Sequence, residues 1–293
     1  MAKRIAFIGL GNMGGGMAAN LVAKGFKVEA FDLDAAALER AKLAGCTAHT
    51  SINAALQGVD AVVTMLPNGT IVHNVFDNDV FKWAPAGALL IDCSTIDVAT
   101  ARDVITQATA KGHQMVDAPV SGGIAAANAG TLTFMVGGTD AAFAAAQPIL
   151  AAMGSAVIHA GGEGAGQAAK ICNNMLLGAT MVATSEAFAM AEKLGLDLQT
   201  FYNISSKASG QSWSMTSYCP VAGVGPKTPA DNDYQGGFAT ALMLKDLRLA
   251  MAAATDAGAD VPMGRRAAEL YEAFASAGNA GLDFSAIIKT MRG

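Results

Sequence analysis

Between a short apolar run, Arg4-Ile5-Ala6-Phe7-Ile8, and a segment in which Met17, Ala18, Leu21 and Val22 recur at helical spacing, the chain reads Gly9-Leu10-Gly11-Asn12-Met13-Gly14. Glycines so placed make a strand-to-helix turn in which the first allows the tight bend and the second lets backbone N–H groups approach a pyrophosphate. The third lets helix and strand pack closely. With 33 glycines in the chain this spacing can arise by chance, so context decides. Val28-Glu29-Ala30-Phe31-Asp32 reads as a second strand ending in a carboxylate, 18 residues past Gly14. A carboxylate there accepts ribose hydroxyls and repels a 2′-phosphate. The spacing points to a dinucleotide on this turn and on Asp32, with NAD favoured over NADP; the competing reading is a glycine-rich turn with a capping aspartate.

Strand and helix patterns continue to alternate downstream. A helix is expected over Asp34 to Ala44, strands over Ala61 to Met65 and Leu89 to Asp92, and a helix over Asp97 to Ala110. Strands follow near Met115 to Asp117, Thr133 to Val136 and Ala156 to His159. Such alternation implies right-handed crossovers and a largely parallel, doubly wound sheet. Beyond Gly161-Gly162-Glu163-Gly164 strand patterns stop, and Ala165 to Lys193 reads as one long helix. Further helices are expected over Leu198 to Ser206, Ala239 to Ala257, Gly264 to Ala277 and Phe284 to Met291. The expected domains are therefore 1–163, binding dinucleotide, and an all-α domain 164–293 opened by an interdomain helix 164–193. The polar stretch from Gly210 to Gly237 is longer than an idle connection, and such loops are functional or disordered.

At 293 residues and 52% apolar content the chain can fill two cores. Only 15% of residues are charged, the net charge is −5 and no basic stripe is present, which disfavours nucleic acid and anionic membranes as partners. Cys46, Cys93, Cys172 and Cys219 are far apart, and the four histidines show no metal-ligand spacing, so no metal site is expected. The first strand begins within four residues of the N-terminus, leaving no room for a signal peptide, and no apolar run is long enough to span a bilayer. These features predict a cytoplasmic location.

Three segments carry candidate chemistry. From Gly164 to Ser185 the long helix has Lys170 as its one basic residue, set among Ala168, Ala169, Ile171, Met175, Leu176 and Leu177. A helix apolar all round is buried, so Lys170 is expected inside or lining a cleft, with Asn174 one turn along on the same face. The alternative is a lysine snorkelling to solvent. Asp117-Ala118-Pro119-Val120-Ser121-Gly122-Gly123 follows a strand and offers a hydroxyl and open N–H groups to a carboxylate, or is an ordinary Pro/Gly turn. Lys245-Asp246 is either a surface ion pair or has one member facing the cofactor.

These motifs, in order, resemble the β-hydroxyacid dehydrogenase family over essentially the whole chain. The match comprises the glycine turn with Met17, Asn20 and Leu21; Asp117 to Gly123; Gly164-Ala165-Gly166 with Lys170, Asn173 and Asn174; and Lys245-Asp246-Leu247. Within it, Ser209 to Ser214, Tyr218 to Val221 and Asp233 to Phe238 are most similar to the 3-hydroxyisobutyrate-oxidising members. One departure stands out: Gly16 lies where the family commonly has proline. Glycine is not pre-organised for a first helical turn, so a more easily frayed helix is expected.

The resemblance implies a Rossmann-type NAD(P)-binding domain and a C-terminal all-α domain that closes the cleft and forms a homodimer or homotetramer. It implies that Gly9, Leu10, Gly11, Asn12, Met13, Gly14, Asp32, Leu66, Pro67, Thr95 and Lys245 line the cofactor site. Ser121, Gly122, Gly123 and Asn174 would hold substrate and Lys170 would be catalytic. Beyond what the resemblance implies, Trp213 and Phe238 are expected as pocket walls. The implied reaction is NAD-dependent oxidation of 3-hydroxyisobutyrate to methylmalonate semialdehyde, as in valine catabolism. Lys170 would be the general base, its pKa lowered by apolar surroundings without an adjacent carboxylate. Tartronate semialdehyde reduction is the near alternative, and a non-catalytic NAD-binding sensor is the alternative from another class. Imine reductases share the architecture but usually lack this lysine. From Ala208 to Leu244 the one basic residue is Lys227, too little for a phosphorylated substrate.

Overall fold

The computed structural model describes residues 3–292. Among them the chain divides into two compact units, the break falling after Lys170. The first unit begins β1 (Arg4–Ile8), α1 (Gly14–Ala23), β2 (Lys27–Phe31), α2 (Ala35–Leu43), β3 (Thr47–Ala48), α3 (Ile52–Ala55) and β4 (Ala61–Thr64). It continues with α4 (Gly69–Val75), a π-helical turn into α5 (Phe81–Trp83), β5 (Leu89–Asp92), α6 (Val98–Ala110), β6 (Met115–Asp117) and β7 (Val120–Ser121). Then come α7 (Gly123–Ala129), β8 (Leu132–Gly137), α8 (Asp140–Leu150), β9 (Gly154–Gly161) and the start of α9 (Ala165–Lys193).

The strands form one sheet in the order β3-β2-β1-β4-β5-β6-β8-β7, with β9 paired to β8. The reversal between β1 and β4 makes the first six strands doubly wound. Because side chains alternate across a strand, Ile5 and Phe7 of β1 enter one core with Met17, Leu21 and Ile149. Ala6 and Ile8 enter the other with Val72, Phe76 and Ile105. Covering both faces is what allows near-continuous apolar strands such as Ala61–Thr64. Asp34, Asn68, Asp97 and Thr139 cap the helices that follow them, each side chain accepting from a first-turn N–H.

The sheet departs from the parallel expectation at β8, which runs antiparallel to β6 and β7. Only residues 122–131 connect β7 to β8, fewer than a parallel crossover requires. In this unit helices α3, α4, α5, α7 and α8 fall where no helix is expected. All but α8 span seven residues or fewer, too short for periodicity to mark.

The second unit holds the rest of α9, then α10 (Leu198–Ser205), α11 (Trp213–Thr216), a 3₁₀ turn Pro229–Asn232, α12 (Thr240–Asp256), α13 (Pro262–Phe274) and α14 (Ile288–Arg292). Its core joins Met181 and Phe188 of α9, Met243 and Leu247 of α12, Tyr271 and Phe274 of α13, and Phe284 and Ile287. The Gly210–Gly237 stretch is tied down rather than loose: Tyr234 donates its hydroxyl to the Pro220 carbonyl and its N–H to the Pro229 carbonyl, both at 2.8 Å. Helix α9 is not buried all round, since Cys172, Asn173 and Leu176 are exposed. Among the described residues no helix is long and apolar enough to cross a membrane.

Gly16 has a positive reason to lack a side chain. A Cβ there would meet Asn128 Oδ1 and lie 3.0 Å from the Ala127 backbone, so glycine is what allows α7 to approach α1. Asn20 completes the junction, its Nδ2 donating to the carbonyls of Gly16 and Ala127, each at 2.8 Å. Gly16→Ala should gain about 1 kcal/mol of helix propensity and lose about 1–3 kcal/mol to crowding. The expected outcome is a lower urea midpoint; an unchanged or higher midpoint would show that α7 yields freely.

Candidate dinucleotide and proton-transfer site

The glycine turn is built as its spacing requires. Gly9 adopts φ +95°, and a Cβ there would run into the Met65 carbonyl and press on Leu66. Gly14 leaves no room either, because its Cβ would meet the Gly9 carbonyl and the Phe7 ring. Around Gly11, by contrast, nothing lies within 4 Å of a Cβ position. Two glycines thus seal the turn against the sheet and the third leaves it open to a ligand, an arrangement that fits a dinucleotide pyrophosphate. No side chain caps α1, and no acidic residue lies in its first turn, so its N-terminal dipole remains available to an anion.

Asp32 braces this turn. Its Oδ2 accepts from the Leu10 N–H at 2.5 Å and its Oδ1 from the Asp34 N–H at 2.8 Å. Each carboxylate oxygen keeps a further lone-pair direction for a hydroxyl donor.

The loops after β4 and β5 are joined by one hydroxyl. Ser94 Oγ accepts from the Leu66 N–H at 2.8 Å and donates to Asp92 Oδ1 at 2.6 Å. Asp92 also accepts from Thr64 Oγ1 at 2.7 Å. Burial pushes the Asp92 carboxyl above the usual aspartate range, against these hydrogen bonds. Leu66 and Thr95 are therefore held on a common scaffold, while Pro67 is exposed beside them.

Asp117 sits at the head of α9. Its Oδ1 accepts from the Gly164 N–H at 2.9 Å and its Oδ2 from the Gln167 N–H at 2.8 Å, so a buried carboxylate caps the helix that carries Lys170. Burial raises its pKa, and the backbone N–H donors of the helix oppose that rise. Gly137 and Gly166 make room for this contact, since a Cβ on either would meet Asp117. Next along the chain, Gly122 and Gly123 take φ +132° and +68°, and the space around Gly123 is open. Ser121, Gly122 and Gly123 thus form a sharp turn into α7 with accessible backbone.

Lys170 is 7% exposed, which decides against the snorkelling reading. Asn174, one turn further along α9, is also buried and donates from Nδ2 to Asp246 Oδ2 at 2.5 Å. Asp246 is consequently not a surface charge but a buried anchor of Asn174. Lys245 is partly exposed, its Nζ 3.6 Å from Asp246 Oδ1.

In the second unit Trp213 stacks on Tyr218 at 4.9 Å, Tyr218 on Phe284 at 5.4 Å, and Phe238 meets Phe284 edge-on at 5.9 Å. Asp283 organises this group, its Oδ2 accepting from Tyr218 Oη at 2.9 Å and from the Phe238 N–H at 2.8 Å. Burial raises the Asp283 carboxyl and, foremost, the Tyr218 phenol as well. The segment before Phe238 is strained, with Asp233 and Tyr234 at φ +50° and +59° without being glycine.

Several of these residues escaped the sequence reading: Asp92, Ser94, Gln167, Asp283 and the capping role of Asp117. Asp92-x-Ser94 after a strand carries a local signal, a side chain accepting from the N–H two residues on. Asp117 and Gly164 are 47 positions apart and leave none.

A glycine turn of this geometry at the switch between β1 and β4 defines a dinucleotide-binding protein. Residues 4–162 match the NAD binding domain of 6-phosphogluconate dehydrogenase, and residues 164–291 match the NAD-binding domain of NADP-dependent 3-hydroxyisobutyrate dehydrogenase. The chain is 47% identical to a 3-hydroxyisobutyrate dehydrogenase of Pseudomonas aeruginosa, over 99% of this chain and 98% of the relative. It is 44% identical to an NAD-dependent L-serine dehydrogenase of the same organism, over 98% and 97%. A solved 3-hydroxyisobutyrate dehydrogenase of Mycobacterium tuberculosis with L-serine superimposes at TM-score 0.96, with 46% identity and full coverage of both chains. The chain belongs to the β-hydroxyacid dehydrogenase family and is an NAD(P)-dependent oxidoreductase.

Replacing Asp117 by alanine should leave two buried N–H groups without acceptors and cost about 2–4 kcal/mol. Equilibrium urea unfolding checks this; a loss below about 1 kcal/mol would mean that water or another group takes over the cap.

Proposed function

We propose that the protein oxidises 3-hydroxyisobutyrate to methylmalonate semialdehyde with NAD, Lys170 acting as general base. The observation that carries the reading is the burial of Lys170 on a helix whose first turn is fixed by Asp117, one turn before an asparagine held by Asp246. A rigid, water-poor lysine is suited to proton transfer and has no evident use in a sensor. The names of the relatives support the reaction class, and the place in valine catabolism follows from the substrate.

Gly9 to Gly14 would hold the pyrophosphate and Asp32 the ribose hydroxyls, favouring NAD. Leu66, Pro67, Thr95 and Lys245 would line the remainder of that site. Residues 1–163 would then serve as the dinucleotide domain and 164–293 as the substrate and assembly domain. Bound there, the oxidised nicotinamide supplies the acceptor for the hydride leaving C3. Ser121 and the N–H groups of Gly122 and Gly123 hold the carboxylate, and Asn174 orients the hydroxyl. As the C3–H bond breaks, the hydroxyl proton passes to Lys170 Nζ and the carbonyl forms; in reverse, the ammonium polarises that carbonyl and returns the proton. Trp213 and Phe238 would enclose the methyl-bearing carbon.

L-serine is a second substrate reading, favoured by the L-serine dehydrogenase relative and by the L-serine that accompanies the solved neighbour. Like 3-hydroxyisobutyrate, it is a small acid with one carboxylate and a primary hydroxyl two carbons away. Tartronate semialdehyde has the same frame with a hydroxyl in place of the methyl.

Steady-state rates with NAD and NADP across 3-hydroxyisobutyrate, L-serine, glycerate and 6-phosphogluconate test the assignment. NAD with 3-hydroxyisobutyrate should dominate, and oxidation should accelerate with pH as Lys170 loses its proton. Lys170→Arg should abolish turnover although it keeps the charge, because guanidinium does not give up its proton. Substantial turnover by that variant sinks the role of Lys170, and dinucleotide binding without turnover of any acid would favour a sensor.

Exposed Leu176 and Met190 on α9 and Leu194 just past its end, with Leu242 and Met263 on α12 and α13, support a homodimer or homotetramer. Light scattering should give two or four times the chain mass, and a monomeric mass would refute the assembly.

A further inference from the structure

Gln167 is fully buried, yet its amide is spent on backbone rather than on another side chain. Its Nε2 donates to the Ser94 carbonyl at 2.7 Å and its Oε1 accepts from the Ile96 N–H at 3.1 Å. The two bonds grip the chain on either side of Thr95. Turning the amide over would set donor against donor and acceptor against acceptor, so the clip has one orientation. At its base the Gln167 N–H is held by Asp117, and beyond the clip Ser94 Oγ links Leu66 to Asp92. Gln167 thereby fastens α9 to the loop after β5, and Ser94 fastens that loop to the one after β4.

An apolar residue would fill the same space at α9 without a polar group to desolvate, and the loop would then lack both bonds. We infer that Gln167 is a positioning residue, setting the height of Lys170, one turn further along α9, relative to the Thr95 peptide on the cofactor side. This rests on the proposed roles of Lys170 and Thr95. The clip acts on geometry alone; it touches no reacting atom. Misplacement by about 1 Å can cost a hundredfold in rate, which is the scale a lost clip should show.

Two variants separate positioning from mere packing. Gln167→Met keeps length and loses both hydrogen bonds; Gln167→Glu keeps the acceptor and regains the donor only when its carboxyl is protonated. The charged groups around that position are Asp117 on its own N–H, Asp92 through Ser94, and Lys170 one turn along. The two buried aspartates disfavour a third carboxylate, so the acid form should persist towards neutral pH.

For each variant the measurements are the melting temperature, the NAD dissociation constant by calorimetry without acid substrate, and kcat and KM across pH. We expect Gln167→Met to melt as a folded protein, bind NAD more weakly, and lose kcat by about a hundredfold with little change in KM for the acid. The rate of Gln167→Glu relative to the unsubstituted protein should rise as pH falls, while the same ratio for Gln167→Met stays flat. Unaltered NAD affinity and kcat in a folded Gln167→Met overturn the proposal. So does a Gln167→Glu ratio that does not change with pH, and this arm decides if Gln167→Met fails to fold. Should Lys170→Ala retain turnover, the catalytic reading falls, yet weaker NAD binding by Gln167→Met would still report the clip, so the two failures are distinguishable.

Discussion

The contact between the Asp117 carboxylate and the first turn of α9 is the constraint on which the site depends. A 29-residue helix begins with four N–H groups that have no partner within it, and here they lie against the ends of β6 and β8 rather than in water. A carboxylate is the most effective acceptor available at that dipole end, and its own burial is offset by the donors it gathers. Glycine at 137 and 166 is the steric condition for this contact, since either side chain would occupy the place of the carboxylate. With the head of α9 fixed, helical geometry sets Lys170 and Asn174 one turn apart on the same face.

Much of the fold was legible because it depends on local signals. Apolar runs and 3.6-residue periodicity marked β1, β2, β4, β5 and β6 and the long helix, and the expected starts at Asp34 and Asp97 fall within a residue of α2 and α6. The glycine turn was legible for the same reason, each glycine answering a steric demand set by its immediate neighbours. Helix α7 and the two-residue strand β7 were not, because seven and two residues hold too few repeats to show a period. The antiparallel turn at β8 follows from a short connection, whose length is visible only once β7 is known.

The site was legible as a set of motifs and opaque as a set of partnerships. Lys170 stood out as a cation on an apolar helix, and its burial bears that out. Asp246 was readable as one half of an adjacent charged pair, which forms at 3.6 Å, but its hydrogen bond from Asn174, 72 positions away, left no signal. Asp283 and Gln167 carry no motif at all; among their partners are the Phe238 and Ile96 N–H groups, which any residue would supply. Long-range hydrogen bonds to main chain leave no trace in one sequence, which is why the residues that hold a site are harder to read than those that form it. Gly16 makes the same point from the other side, since a residue that looks like a weakened helix start is the space into which a neighbouring helix fits.

The double hydrogen bond that Asp32 makes to the backbone has a consequence for attempts to retarget the cofactor. In the proposed reading the same carboxylate that would discriminate between ribose and its 2′-phosphate also holds the Leu10 peptide in place. Exchanging it for a residue that welcomes phosphate would therefore alter selectivity and slacken the bend at once. Selectivity and loop shape are coupled through one side chain, so a productive change of preference has to arrive as a set of compensating substitutions around the turn rather than as a single replacement.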